Sequence, residues 1–311
     1  MSTPQAQPFS DSTFPFMIHG KQKDTNYQAT LAKKVSCTGI GIHSGKPIVL
    51  TLKPSLSETG FIFVRTDLQK NNQILGVFNN VTDTKMCTRI SNGSGVSIST
   101  VEHILAALAG AHITNAIIEV NGPEIPIMDG SSFVFSQMIE KVGISLQNSQ
   151  LKTVKILKPV RVSHNESYAE FLPNQNRLLT FVFNKQSNIG HASKIHEFTF
   201  DWDLDNFNHI ISDARTFGFY EDAQKLRDLG LAQGASLNNT IVIQNDNTFM
   251  NPEGLRSEDE LVRHKILDAI GDLSLAGMRI LGHFRGVNSG HSLNNQLLRH
   301  LFNTPDAWKD Y

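Results

Sequence analysis

Alternating apolar and polar residues predict strands in both halves of the chain. After residue 26, short runs repeat with a period of two, which is typical of strands with one buried face. Turns that contain glycine, proline or asparagine separate most of these runs. The predicted strands lie within residues 27–45, 46–54, 60–66, 74–81, 113–120, 154–162, 167–173, 178–184, 196–202, 240–247 and 278–287.

Longer apolar patterns with a helical period predict five helices among these strands. A helix is favoured where such a run carries a start signal or a closing glycine. The predicted helices lie within residues 97–110, 131–144, 221–230, 257–277 and 293–302. Because strands and helices do not alternate regularly, the order of elements favours an α+β fold, with helices layered on mostly antiparallel sheets.

Two of these helices resemble each other, which indicates a duplication. Each opens on Ser-x-x-Glu, Ser99 with Glu102 and Ser257 with Glu260, and each contains Val-x-His. Each also closes on Leu-Ala-Gly and is followed by a strand. The Ser-x-x-Glu pattern predicts a capping box at both helix starts, and Gly110 is a predicted C-terminal cap. A repeated unit of this kind predicts two similar domains.

The predicted domains divide the chain near its middle. Residues 1–26 are polar and lack the features of a secretory signal, so we interpret them as an N-terminal extension. The polar stretch 147–150 is interpreted as a break between domains. We therefore place the first α+β domain at residues 27–148 and the second at residues 149–311.

Composition and charge narrow the class of protein. The 311 residues carry a net charge of −1, with 28 basic and 29 acidic side chains. This balance provides no bulk positive field that would hold nucleic acid or anionic lipid. The apolar runs are shorter than a membrane span. Two cysteines, Cys37 and Cys87, allow at most one disulfide, and a reducing cytosolic setting is expected.

A stripe of His and Asp residues marks the predicted helix at 257–277. His264, Asp268 and Asp272 are four residues apart, so they share one helix face opposite an apolar face. A solvated polar face is one interpretation. The other is a metal site, because side chains at i and i+4 lie about 5–6 Å apart at their Cβ atoms and can converge on one ion. Such ligands favour Zn²⁺, although Fe²⁺ or Co²⁺ fits the same set.

The repeated helix offers a third ligand. His103 occupies the same Val-x-His position in the first helix as His264 does in the second. Glu102 beside it is either the acid of a capping box or a residue that faces the reacting water. Adjacent helical residues point about 100° apart, so His103 can bind a metal while Glu102 does not. Three protein ligands with an open position are typical of catalytic zinc.

Five separated motifs together resemble one enzyme family. They are TVEHILAALAG, NGPEIPIMDGSS, ARTFGF, EDELVRHKILDAIGDL and SGHSLNN, in this order. In these motifs the chain, from about residue 27 to its end, resembles the UDP-3-O-acyl-N-acetylglucosamine deacetylases of lipid A biosynthesis. The resemblance implies two similar α+β domains with the active site at their interface. It also implies a zinc-dependent hydrolase that releases acetate from the N-acetyl group of an acylated UDP-sugar.

The resemblance assigns the metal ligands and the two proton-transfer residues. His103, His264 and Asp268 would bind the zinc ion, with Fe²⁺ as an alternative in the same site. Glu102 would be the general base that takes a proton from the attacking water. His291 would be the general acid that serves the leaving amine or the oxyanion.

The resemblance also implies supporting and substrate-binding residues. Asp272 would hydrogen-bond His291 and orient it, and Thr216 would donate to the oxyanion. The implied substrate contacts are Phe217 under the sugar, Lys265 at the diphosphate, Glu170 and Phe171 at the uridine, and Cys87 in a stretch at the rim of the site.

An insertion in the second domain would receive the acyl chain. The family has a strand–helix–strand element that forms a hydrophobic passage, and residues 217–244 take its place here. Ala223, Leu226 and Leu229 lie on one face of its predicted helix. By spacing alone, such a stripe is equally consistent with a helix that packs on its own sheet.

The resemblance sets the expected partners and leaves two alternatives open. We expect an acylated UDP-sugar as substrate, no nucleic acid, no stable membrane insertion, and at most transient contact with a membrane surface. We also expect a cytoplasmic monomer in a Gram-negative cell. A non-catalytic binding protein with a structural metal is one alternative, although a closed site has no use for Glu102. Hydrolysis of a different N-acyl substrate is the other.

Overall fold

A computed structural model of the chain describes residues 26–184, 195–246 and 248–311. Within these residues the strands are β1 (Tyr27–Leu31), β2 (Val35–Ile40), β3 (Pro47–Pro54), β4 (Phe61–Arg65), β5 (Gln73–Leu75), β6 (Val81–Asp83), β7 (Arg89–Ser91), β8 (Ser97–Ile98), β9 (Ala116–Val120), β10 (Ile144–Gln150), β11 (Thr153–Ile156), β12 (Val160–His164), β13 (Ser167–Leu172), β14 (Leu178–Asn184), β15 (Ile195–Asp201), β16 (Phe217–Phe219), β17 (Ile241–Ile243), β18 (Arg279–Leu281), β19 (His283–Val287) and β20 (Trp308–Asp310). The α-helices are α1 (Glu102–Gly110), α2 (Phe133–Val142), α3 (Phe207–Ile210), α4 (Tyr220–Asp228), α5 (Glu260–Ser274) and α6 (His291–Phe302).

Two five-stranded sheets have the same strand order. The first runs β2-β3-β9-β4-β5 and the second runs β12-β13-β19-β14-β15. In each sheet the third and fourth strands pair in parallel, and the other neighbours are antiparallel. The predicted α+β fold with mostly antiparallel sheets is confirmed. The matched topology also agrees with the duplication that the two similar helices indicate.

The helices α1 and α5 lie at the centre of the helical layer. They pack against each other, while α2 packs on α1 and α6 packs on α5. Further contacts join α5 to β14 and β15, and α6 to β12 and β13. Beyond Glu102 and His103, α1 is apolar, and its residues from Ile104 to Leu108 are fully buried, as expected for a core helix. A continuous apolar cluster contains side chains from both sheets and from these helices.

The two predicted capping boxes are wrong. The N-cap of α1 is Val101 and that of α5 is Asp259, and in the described structure neither helix start has a side-chain cap hydrogen bond. The Glu102 carboxylate accepts instead from the Thr88 backbone N–H. The Glu260 carboxylate accepts from Arg215. Both acids are buried and have tertiary partners, which override the local capping preference.

The predicted C-terminal cap at Gly110 is also wrong. Gly110 is the last residue of α1, and Ala111 is the cap. A Cβ at Gly110 would lie 2.1 Å from the Phe207 ring. The glycine therefore allows close packing rather than a turn. Gly277, which follows α5, does adopt the left-handed conformation with φ of 71°, as glycines after helices commonly do.

The predicted break at residues 147–150 is a strand in the structure. These residues belong to β10, which pairs antiparallel with β1. Exposed and partly buried positions alternate along β10, so the polar residues form one face of a strand. The domain boundary placed near this point stays a prediction. Elsewhere the predicted strands 154–162 and 278–287 are each divided in two, as β11 with β12 and β18 with β19.

The region of the predicted insertion contains strand, helix and strand in that order. β16 pairs in parallel with β17, and α4 lies between them in the chain. None of the nine residues of α4, all of which the structure describes, is buried. Leu229, just after the helix, is 57% exposed. In the described part of the chain, moreover, no helix has both the length and the apolar character needed to cross a membrane.

Candidate active site

The first turn of α1 lies in close backbone contact with the C-terminal half of α5. Gly271 makes this possible, because a Cβ at that position would lie 2.0 Å from the carbonyl oxygen of Glu102. A glycine inside a helix costs about 1 kcal/mol relative to alanine, so its presence within α5 needs a packing reason. The contact brings Glu102 and His103 beside the polar face of α5.

The three predicted metal ligands converge at this contact. One ligand atom from each of His103, His264 and Asp268 lies within 4.8 Å of the others. Nε2 of His264 is 3.3 Å from Oδ1 of Asp268, and Nε2 of His103 is 3.6 Å from the same oxygen. The three residues are only 2–4% exposed. The alternative of a solvated polar face on α5 is therefore wrong.

Hydrogen bonds around the cluster fix the orientation of His264 and Asp268. Nδ1 of His264 is 3.0 Å from the carbonyl oxygen of Ala214. A carbonyl only accepts, so Nδ1 carries the proton and Nε2 of a neutral ring presents a lone pair to Asp268. Oδ2 of Asp268 accepts from the Lys265 ammonium at 2.7 Å. Oδ1 of Asp268 thus faces the two imidazoles, and it is an acceptor like Nε2 of His264.

The charge states suit a cation between these acceptors. Burial lowers the pKa of His264 to about 3, although Asp268 opposes the change. Burial disfavours the charged form of Asp268, but its neighbours hold the pKa of that carboxyl well below the usual value. Among the described atoms, Nδ1 of His103 is buried and has no hydrogen-bond partner. Two imidazoles beside a carboxylate in a buried site form a donor set that suits a divalent metal.

A second cluster of polar side chains adjoins the metal-ligand cluster. Nδ1 of His291 is 2.9 Å from Oδ2 of Asp272, and Nε2 of His291 is 3.9 Å from Oε1 of Glu102. Asp272 also accepts from the Thr88 hydroxyl at 2.5 Å and from the Asn294 amide at 2.8 Å. The predicted contact between Asp272 and His291 is therefore present in the structure.

Thr88 belongs to the stretch 86–88 that the resemblance places at the rim of the site, but its hydrogen bonds were not predicted, and Asn294 was not singled out. Thr88 bonds both carboxylates, since its backbone N–H donates to Oε2 of Glu102 at 3.0 Å. It lies in the turn before β7, where neither periodicity nor spacing marks it. Asn294 stands within the quoted SGHSLNN motif. Its position on α6, three residues after His291, could have indicated that it shares a face with that residue.

Burial and charge set the protonation states of Glu102 and His291. Burial raises the pKa of Glu102 above its ordinary value, and the His291 charge opposes this change. Burial alone would lower the pKa of His291, but the carboxylates of Asp272 and Glu102 outweigh it and raise the pKa to about 10. At neutral pH His291 is a cation between two carboxyl groups.

The segment before and within β16 lines the other side of His264. The Phe217 ring centroid is 6.1 Å from that of His264, and the Lys265 ammonium is 5.4 Å from the Phe217 centroid. The Thr216 backbone N–H donates to the carbonyl of Gly130 at 2.7 Å. Phe217 and Lys265 thus lie beside the cluster, and Thr216 lies next to Phe217 in the chain.

Glu170 and Phe171 lie on β13, and their described contacts do not include the cluster. Glu170 is buried and accepts from the Arg161 side chain at 2.7 Å. The Phe171 ring packs in the core against Phe284, with centroids 5.9 Å apart. Their role at a uridine stays a prediction.

Cys87 lies beside Thr88 and is only 4% exposed. Burial, together with the Glu102 charge, raises the pKa of its thiol to about 12, so the thiol stays protonated at neutral pH. Cys37 and Cys87 are both free thiols. The role of Cys87 at the rim of a substrate site stays a prediction.

A cavity of about 360 Å³ lies on the opposite side of α5 from the cluster. Its described lining includes Ile270 and Leu273 of α5 and excludes the polar cluster. Ile270 is two positions from both Asp268 and Asp272, so it points to a different side of α5 from these two carboxylates. The candidate chemistry therefore lies outside this cavity, at the meeting of α1, α5 and α6.

Fold and site together define an α+β protein with a buried His–His–Asp cluster beside a Glu–His pair. Comparisons with known proteins show the family to which the chain belongs. Residues 28–303 match the family model described as UDP-3-O-acyl N-acetylglycosamine deacetylase. UDP-3-O-acyl-N-acetylglucosamine deacetylases of two species are among the proteins that are similar to the chain. That of Legionella pneumophila (strain Corby) is 45% identical over 282 residues, which cover 91% of this chain and 92% of that protein.

The second similar protein is that of Francisella tularensis subsp. tularensis (strain WY96-3418). It is 44% identical over 284 residues, which cover 91% of this chain and 98% of that protein. The chain belongs to the UDP-3-O-acyl N-acetylglycosamine deacetylase family, and the family predicted from the five motifs is confirmed. The chain is thus a member of an enzyme family.

Proposed function

We propose that the chain removes the N-acetyl group of UDP-3-O-acyl-N-acetylglucosamine and releases acetate, in the cytoplasm of a Gram-negative cell and as a step of lipid A biosynthesis. One observation carries the proposal: a buried three-ligand cluster lies directly beside an acid–base pair, in a chain of this family. The reaction is hydrolysis of an amide, which needs an activated water, a stabilised oxyanion and a protonated leaving amine.

His103, His264 and Asp268 would hold one divalent cation, and these donors fit Zn²⁺, with Fe²⁺ as an alternative. When bound, the cation lowers the pKa of a water molecule and polarises the amide carbonyl. Lys265 holds Oδ2 of Asp268, which leaves Oδ1 directed at the two imidazoles. Three protein ligands leave a coordination position open for the reaction.

Glu102 is the general base in this proposal. The Thr88 N–H holds its Oε2, so Oε1 is the oxygen available to take a proton. Its burial raises the pKa towards the operating pH, which makes the carboxylate a stronger base than an exposed one. General acid–base help of this kind contributes about 10²–10⁴-fold to the rate.

His291 is the general acid. Its Nδ1 proton donates to Asp272, so Nε2–H points towards the side where Glu102 lies. Asp272 holds the imidazolium and fixes its orientation, while Thr88 and Asn294 hold Asp272 in turn. The Nε2 proton can stabilise the oxyanion and then pass to the leaving amine.

The substrate contacts belong to the proposal as well. Thr216 would donate to the oxyanion, Phe217 would lie under the sugar and Lys265 would meet the diphosphate. Glu170 and Phe171 would contact the uridine, and Cys87 would lie at the rim.

The acyl chain would lie along the region of β16, α4 and β17. The apolar side chains of α4 are not buried against a sheet, and this exposure supports a passage over simple internal packing. We further propose that the enzyme acts as a monomer, with at most transient contact with a membrane surface.

An assay of acetate release tests the function. Purified protein should deacetylate the UDP-sugar, lose activity on prolonged chelation and regain it with Zn²⁺. Turnover of simple acetamides at an equal rate would favour a different N-acyl substrate. Metal binding without turnover of any amide would favour the non-catalytic alternative.

A further inference from the structure

A buried ion pair ties the first turn of α5 to the segment before β16. Arg215 and Glu260 are 3% and 1% exposed. Nε of Arg215 donates to Oε1 of Glu260 at 2.8 Å, and Nη2 donates to Oε2 at 3.2 Å. The fork-shaped guanidinium therefore contacts both carboxylate oxygens, which fixes the orientation of the pair as well as its distance.

The remaining donors and acceptors of this pair have partners of their own. The guanidinium also donates to the Glu253 carboxylate and to the Gly254 carbonyl, each at 2.8 Å. The Arg256 backbone N–H donates to Oε2 of Glu260 at 2.5 Å. A buried polar network whose donors and acceptors have hydrogen-bond partners in this way is rigid and specifies one arrangement of its side chains.

One peptide group connects this ion pair to a metal ligand. The Arg215 backbone N–H donates to Oε1 of Glu260 at 3.1 Å. The carbonyl of the same peptide plane, on Ala214, accepts from Nδ1 of His264 at 3.0 Å. Because a peptide group is planar and rigid, its N–H and C=O orient together. Glu260 and His264, one helical turn apart on α5, thus hold the two ends of one peptide.

The segment around this peptide is held from the other half of the molecule as well. The next N–H, on Thr216, donates to the Gly130 carbonyl at 2.7 Å. The Arg256 guanidinium donates to the Asp213 carbonyl at 2.7 Å and to the Asp129 carboxylate at 3.0 Å. The peptide between Ala214 and Arg215 is therefore fixed on both sides, and Glu260 sets its rotation.

We propose that Arg215 and Glu260 are positioning residues for the metal site: they hold the Ala214 carbonyl against His264. That carbonyl selects the Nδ1–H tautomer and turns Nε2 towards Asp268 and His103. The effect of this pair on metal binding rests on the proposed metal-dependent function. Its control of the His264 tautomer, in contrast, concerns the protein without metal.

The matched pair of variants is Glu260→Gln and Asp259→Asn. Both remove one carboxylate charge at the start of α5, and the Asp259 carboxylate instead pairs with Arg263 at 2.8 Å. In ¹⁵N NMR spectra of the metal-free protein, His264 should be the Nδ1–H tautomer in the wild type and in Asp259→Asn. In Glu260→Gln it should exchange between tautomers. The same tautomer in all three proteins would overturn the proposal.

Metal affinity provides the second readout. Chelator competition with Zn²⁺ should give a dissociation constant about 10–100-fold higher for Glu260→Gln, the usual effect of losing a group that orients a metal ligand. Asp259→Asn should bind Zn²⁺ as tightly as the wild type, because the Asp259 carboxylate pairs with Arg263 and not with the Ala214–Arg215 peptide. Equal affinities of Glu260→Gln and the wild type would overturn the proposal even if activity falls.

A further variant covers the case in which Glu260→Gln does not fold. Arg215→Lys keeps the positive charge but loses the two-point contact, so it should show the same tautomer change and weaker Zn²⁺ binding. Wild-type behaviour of Arg215→Lys in both readouts would overturn the proposal. A wild-type protein that binds no Zn²⁺ would reject the proposed function, while the tautomer measurement would still test the positioning role.

Discussion

The helices α1 and α5 occupy matching places in the two halves, yet they contribute very different amounts to the candidate site. Each carries an imidazole near its start, His103 and His264. Four residues later α1 has Ala107, whereas α5 has Asp268. α1 is 9 residues long and α5 is 15. The strand order repeats between the halves and the chemistry does not, because a fold and the site that it carries are specified by different residues.

The asymmetry divides the proposed work between the halves. The second half supplies two metal ligands and, through Asp272, the partner of His291. The first half supplies one ligand, the base Glu102 and the Thr88 contacts that hold both carboxylates. Neither half has a complete site, so variants of single residues can separate the contribution of the first half from that of the second.

The largest effect on activity is expected for Glu102, the proposed general base in the first half. Glu102→Gln keeps the shape of the side chain but cannot accept a proton, so kcat should fall by about 10²–10⁴-fold while bound Zn²⁺ is retained. Steady-state kinetics with metal analysis of the same sample measures both. The control is Glu119→Gln, which removes a partly exposed carboxylate paired with Lys53. A kcat close to wild type with full metal content would reject Glu102 as the base.

The two imidazoles should be equally necessary for metal binding. His103→Ala and His264→Ala each remove one of three ligands, so the affinity for Zn²⁺ should fall by more than about 100-fold, beyond the usual effect of an outer contact. Chelator competition measures this loss in each variant. If only one of the two variants loses affinity, the metal is bound by one half alone, and the shared site is wrong.

The close contact between the helices should matter next. Gly271→Ala places a methyl group against the Glu102 carbonyl, so the helices must separate. Overpacking of this kind costs about 1–3 kcal/mol in the free energy of unfolding, and a displacement of about 1 Å lowers kcat by about 100-fold. Gly93→Ala is the control, because a Cβ there meets nothing within 4 Å. Similar kcat values for the two variants would show that the contact does not position the site.

The smallest effect is a change in pH dependence. His291 acts as an acid, so activity is lost as pH rises through its pKa, which the Asp272 and Glu102 charges raise to about 10. Asp272→Asn removes one of these charges, so the alkaline limb of the kcat/KM profile should move about 1–3 pH units lower. Asp306→Asn, at an exposed residue away from the site, should leave it in place. An alkaline limb that stays fixed in Asp272→Asn would reject the pairing.

Sequence patterns identified the parts of the site that lie on one helix or repeat between helices. The spacing of His264, Asp268 and Asp272 follows helical periodicity, and His103 shares a motif with His264. The five motifs indicated the family, which the comparisons confirm. These features are local in the chain, so sequence patterns alone can predict them.

Contacts between distant segments could not be predicted in this way. Ser-x-x-Glu predicts a capping box from local preference alone, but Glu102 and Glu260 are bound by Thr88 and Arg215, which are remote in sequence. Thr88 lies in a turn without periodicity. Gly271 has no recognisable signal in α5, because its reason for being there is the carbonyl of another helix. Such roles appear only when segments that are separated in the chain are packed together.

The central claim is that both halves jointly bind one divalent cation, and anomalous diffraction at the zinc edge tests it most directly. Crystals of the full chain grown with Zn²⁺ should show one strong peak within about 2.2 Å of a nitrogen of His103, a nitrogen of His264 and an oxygen of Asp268. No peak among these atoms, or a peak bound by residues of only one half, would contradict the account.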